Sequence, residues 1–169
     1  MNLNVHPLLV HFPIAFLTGY SLLELARFPL LTRQSFYFYT KATFLFAGVI
    51  ATGPAILAGL LIQDQFPNHT LVSLHQNINI AMSIIFFILA VGYLIIWINQ
   101  NPLEYLKHQW WWPIKVRGAH LLIQTPVVFL LTLIGLGLLL VGGALGGIIV
   151  YGPNLDPFTS FIANILNVR

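Results

Sequence analysis

Residues 126–151 read PVVFLLTLIGLGLLLVGGALGGIIVY, and from 127 to 150 one polar side chain, Thr132, interrupts an apolar run. A helix needs about 20 such residues to cross a bilayer core. The stretch is long enough, and its flanks support that reading. Thr125-Pro126 reads as an N-cap followed by proline at the first helical position. His120 to Gln124 then reads as an interfacial turn, or else one helix runs from about residue 119 and kinks at Pro126.

Three further stretches match it. They run from about residue 7 to 26, 41 to 62 and 70 to 99. Pro7 suits a first helical position, where its missing N–H costs nothing. Thr52-Gly53-Pro54 predicts a kink in the second stretch. Thr70 is the expected N-cap of the third. With 58% hydrophobic and only 7% charged residues among 169, the chain cannot clothe a water-soluble globule. The expectation is an all-α membrane protein, a four-transmembrane-helix bundle forming one domain over residues 1–169. Its first partner is the lipid bilayer. A basic-patch nucleic-acid binder is excluded. There is no cysteine, hence no disulfide, no thiolate metal site and no attachment of c-type haem. No positive n-region precedes the first stretch, which is read as retained.

The seven cations report topology. Arg27, Arg33, Lys41, Lys107, Lys115 and Arg117 fall on one side, and Arg169 alone falls on the other. By the positive-inside rule, the first side is cytoplasmic and both termini face out. Trp110, Trp111 and Trp112 read as interfacial anchors. Glu24 and Arg27, three apart, are expected to pair at the end of helix one.

This topology sorts the six histidines. His6, His11, His69 and His75 gather on the extracytoplasmic side, while His108 and His120 lie opposite. His11 sits about 6 Å into the first helix at 1.5 Å per residue. An ionisable group there is expected to face the bundle interior with a partner. His75 opens the third apolar stretch, with Asn79 and Ser83 on its face at spacings of four. Gly142, Gly143, Gly146 and Gly147 form two overlapping G-x-x-x-G pairs, which permit close helix approach or contact with a flat macrocycle. Gly53 supports the same idea on helix two.

Two inward imidazoles at similar depth are what a six-coordinate haem b requires. His11 and His75 are the expected axial ligands. Gly53, Gly143, Gly146 and Gly147 would flank the ring, and Gln76, Asn79 and Tyr151 would supply hydrogen bonds. The implied role is electron transfer with a quinol or a periplasmic partner. Two alternatives stand beside it. One is a structural or assembly subunit of a larger membrane complex, with hydrogen-bonded histidines and no cofactor. The other is an outer-face copper or zinc site, adding His6, His69 and Asp64 to His11 and His75. His6 and His11 point about 140° apart on one helix, which weakens a compact site. No carboxylate dyad, G-x-S-x-G, H-E-x-x-H or P-loop points to a hydrolase or phosphoryl transfer. One helix break at Gly53-Pro54, without a clear counterpart, gives little support to a transporter.

The opening His6-Pro7-Leu8-Leu9-Val10-His11-Phe12-Pro13-Ile14-Ala15 resembles a bacterial membrane-protein family, domain of unknown function 2231. That family has four predicted helices and a histidine opening the third, here His75. A Gly-Gly-x-x-Val-Tyr-x-Gly-like run ends its fourth helix, here Gly146-Gly147-Ile148-Ile149-Val150-Tyr151-Gly152. Members usually carry a basic residue at the end of helix three, where this chain has Trp97-Ile98-Asn99-Gln100. The resemblance implies a bacterial inner or thylakoid-type membrane and brings no agreed activity. Its layout is similar to that of small four-helix b-type cytochromes.

Overall fold

The computed structural model describes residues 5–26, 29–101, 107–124 and 126–166. The elements are helical: α1 (His6–Ala26), α2 (Pro29–Thr32), α3 (Ser35–Ile62), a 3₁₀ turn (Gln63–Gln65), α4 (His69–Gln100), α5 (Trp112–Gln124), α6 (Pro126–Tyr151) and α7 (Pro157–Ile165). Helices α1, α3, α4 and α6 are long and apolar enough to cross a membrane. They close a ring in which α1 packs on α3 and α6, and α4 packs on the same two. Helix α5 lies across α4 and α6, and α7 folds back on α6.

Apolar side chains face both ways, as a lipid-solvated bundle requires. Leu17, Leu45, Phe86, Leu89 and Val128 are wholly buried at the centre, whereas Leu30, Ile50 and Leu61 point outward. In lipid, burial of apolar area gives little driving force between helices, so cohesion depends on close packing. Small residues supply it. A Cβ at Gly48 would lie 2.5 Å from Leu17 Cδ2, and one at Gly135 would lie 2.9 Å from Phe86 Cζ. Tyr20 meets Phe86 and Tyr93 edge-on, with ring centroids 6.1 and 5.8 Å away.

Several boundaries differ from expectation. Helix α3 begins at Ser35, so Lys41 lies two turns inside it rather than at its edge. Pro54 lies inside this helix at the expected kink, and Thr52 Oγ1 donates to Val49 O at 2.6 Å. Helix α4 is capped by Asn68, not Thr70. The Asn68 Oδ1 accepts from Leu71 N at 3.0 Å, satisfying one of the unpaired N–H groups of the first turn. His120 to Gln124 is helix rather than turn, the last part of α5, and Thr125 lies outside the described residues. Helix α6 ends before Gly152, whose φ of +89° reverses the chain while its N–H closes on Ile148 O at 2.9 Å. Helix α7 was not anticipated. Asp156 and Thr159 form a capping box before it, with Pro157 in its first turn. Its buried Thr159, Ile162 and Ala163 turn inward, leaving Phe158, Phe161 and Ile165 exposed, as on an interfacial helix.

Candidate functional site

The ring of helices has a histidine end and a basic end. At the histidine end, α1 contributes His6. Its Nδ1–H donates to Ala55 O on α3 at 3.0 Å, and its ring lies on Gly59. A Cβ at Gly59 would stand 3.1 Å from His6 Cε1. From α4, His75 does the same toward α6. Its Nδ1–H donates to Gly142 O at 2.9 Å, and its Cε1 would stand 3.2 Å from a Cβ at Gly146. Both half-buried rings are therefore in the tautomer that places the lone pair on Nε2.

Asn79 completes this face. Its Nδ2 donates to His75 O at 2.8 Å and lies 3.3 and 3.4 Å from the two ring nitrogens. With Nδ1 committed to Gly142 O, Nε2 is the ring nitrogen able to accept from the Asn79 amide. Asn79 Oδ1 would be 2.7 Å from a Cβ at Gly142. Gln76 Nε2 donates to Gln63 Oε1 at 2.7 Å, joining α4 to the turn after α3.

The expected pairing of His11 with His75 does not form. His11 is exposed, and its Nδ1 bonds to Pro7 O within its own helix. The buried positions of α1 are Pro13, Leu17, Tyr20, Ser21 and Glu24. At about 100° per residue, His6 falls on that face and His11 falls about 140° away. His69 and Asp64 are exposed, and Tyr151 is 73% exposed. Among the described residues, no three His, Cys, Asp or Glu side chains are placed to share a metal ion. The glycines divide likewise. Gly146 meets His75, and Gly147 faces Leu155 and Thr159 at 3.7 Å. A Cβ at Gly53 or Gly143 would meet nothing within 4 Å. Of the expected residues, the structure groups His75, Asn79, Gly142 and Gly146 between α4 and α6, and sets His6, from the alternative metal set, against α3, where Gly59 is an addition. The signal for Gly59 lay in its position near the end of the second apolar stretch, opposite the first histidine.

The basic end holds a second constellation that the sequence reading missed. Glu24 is 2% exposed, and Lys41 Nζ reaches its Oε2 at 2.7 Å from α3. The Tyr93 hydroxyl donates to the same Oε2 from α4. Lys41 Nζ also stands 5.0 Å from the Tyr37 ring centroid and 5.6 Å from that of Tyr93. Tyr37 OH donates to Leu23 O. Three helices thus converge on one carboxylate inside the membrane-spanning part. Such a group needs a partner there, and Glu24 finds it across the bundle in Lys41. Arg27, its expected partner, lies outside the described residues. The three tryptophans also separate. Trp110 is 82% exposed, as an anchor should be, whereas Trp112 is buried and donates Nε1–H to Asn99 Oδ1 at 3.1 Å.

No curated protein and no solved structure matches the chain. One family model does, over residues 2–155, which include both constellations. The four apolar helices agree with its description. The chain belongs to the family of predicted membrane proteins with domain of unknown function 2231.

Proposed function

We propose that the protein is a small membrane haem b protein that passes electrons at its histidine end, with His6 and His75 as axial ligands. One observation carries this reading. Each imidazole commits Nδ1–H to a main-chain carbonyl of a neighbouring helix, which fixes the ring and leaves Nε2 as the donor nitrogen. Metal-bound histidines are held in this way, and such hydrogen bonds make the ligating nitrogen more basic. Gly59 and Gly146 lie against the two rings, so no Cβ crowds either imidazole. The haem would supply one-electron chemistry, exchanged with a quinol or an extracytoplasmic redox protein. Asn79 and Gln76 would hydrogen-bond its periphery. His11 takes no part.

A second reading is a cofactor-free subunit of a larger membrane complex. It is favoured by a specific observation: Gly59, Gly142 and Gly146 are already covered by His6, Asn79 and His75. The histidines then act as pins between helices. A reduced-minus-oxidised absorption spectrum of protein purified from haem-replete cells tests both. The haem reading expects a b-type spectrum that is lost in His6→Ala and His75→Ala, kept in His11→Ala, and accompanied by unchanged helicity. A colourless wild-type preparation ends it. Elemental analysis of the same sample tests the copper or zinc alternative.

A further inference from the structure

A groove of about 350 Å³ runs between α4 and α5, on the outside of the ring. Phe87, Val91 and Ile95 form one wall, and Leu122 contributes to the other. Its depth comes from missing side chains. Gly92 lets α5 settle close, since a Cβ there would lie 2.8 Å from Leu122 Cδ2. At Gly118 a Cβ would meet nothing within 4 Å, so that position leaves the groove open.

Lys115, Gly118 and Leu122 follow one another at spacings of three and four, so they share one face of α5. The groove is therefore polar at its Lys115 end and apolar over the next ~10 Å of helix. Lys115 Nζ is held 4.3 Å above the Trp111 ring, and the exposed Trp110 belongs at headgroup level. Residues 107–124 contain Lys107, Lys115 and Arg117 and no carboxylate. A cation at the mouth, apolar walls below it and a segment of one charge sign match one amphiphile.

We infer that this groove is a binding site for an anionic phospholipid, with an acyl chain along Gly118 and the phosphate at Lys115. The site lies toward the basic end, far along α4 from His75, and is independent of any cofactor. Arginine and lysine near a membrane surface attract anionic lipid with an energy equivalent to about a fivefold preference per cation.

The test is native mass spectrometry of the full chain released from nanodiscs of equimolar phosphatidylglycerol and phosphatidylcholine. Wild type is expected to retain phosphatidylglycerol preferentially. Lys115→Gln, at an exposed position, should cut that preference about fivefold. Gly118→Leu should cut retention of both lipids while the circular-dichroism melt is unchanged. Equal retention of the two lipids by wild type overturns the assignment. So does a preference that survives Lys115→Gln, retention that survives Gly118→Leu, or isoprenoid quinone held in place of phospholipid.

Discussion

Replacing Lys41 by methionine keeps the apolar stem of its side chain and removes the terminal charge. Glu24, only 2% exposed, would then keep the Tyr93 hydroxyl and lose the Lys41 ammonium. Stranding one member of a buried pair costs about 3–5 kcal/mol. The converse change, Glu24→Gln, strands an ammonium instead. Lys41 is 13% exposed and lies near the basic end, so its stem can extend toward the interface. That change should cost about 1–3 kcal/mol, most of it the lost charge-assisted hydrogen bonds. Combining Glu24→Gln with Lys41→Met removes both charges and their desolvation penalties, and this double variant should cost no more than about 2 kcal/mol. The coupling energy from the cycle is then at least about 2 kcal/mol. Equilibrium unfolding in mixed micelles, followed by circular dichroism over a dodecyl sulfate titration, measures it. A coupling under about 0.5 kcal/mol, typical of solvated surface pairs, would refute the view that the carboxylate is sealed inside the bundle.

The glycine face of α6 gives a position-specific test. Gly142→Ala drives a methyl into Asn79 and should cost about 1–3 kcal/mol, whereas Gly143→Ala, one residue away and facing open space, should be near neutral or stabilising in a thermal melt. Equal effects would show that the α4–α6 contact is wrongly placed. Helix α7 should respond to acid. Its cap, Asp156, has its carboxyl held below the usual range, first by the Thr159 N–H and also by that of Phe158. A depressed native value means that the cap's contribution is complete above the unfolded value of about 3.9 and is lost as pH falls through the native one. Amide exchange at Thr159 should therefore accelerate in strong acid for wild type, and Asp156→Asn, which caps without titrating, should abolish that pH dependence.

The spans were legible because a bilayer demands about 20 apolar residues in succession, and few soluble patterns imitate that. Facing was legible too, but it needed the whole helix. Taken alone, His11 looks like the buried ionisable group, because its neighbours are apolar. Set against Pro13, Leu17, Tyr20 and Glu24, the helical period puts His6 on the inner face and His11 outside it. Lys41 misled for a related reason. A cation near the end of an apolar stretch reads as a topology marker, and only the approach of α1 and α4 reveals its partner. Short helices were the least visible. Helix α5 alternates Trp, Lys and Arg without a long apolar run, and α7 is nine residues long. The Asp156-Pro157 start of α7 was nevertheless a readable cap signal.

The Glu24–Lys41 pair also bears on how the chain enters its membrane. The two residues are 17 positions apart on successive spans, so the carboxylate leaves the ribosome before the Lys41 ammonium that meets it across the bundle. A lone α1 handed to lipid would carry the Glu24 carboxylate without its contacts to Lys41 and Tyr93 on the later spans, and a charge in the membrane is costly. Synthesis of about 17 more residues takes on the order of a second or more at cellular elongation rates. During that interval α1 is best kept in a hydrated conduit or at the interface. The two spans then leave together as a hairpin, with the ion pair made on the way in.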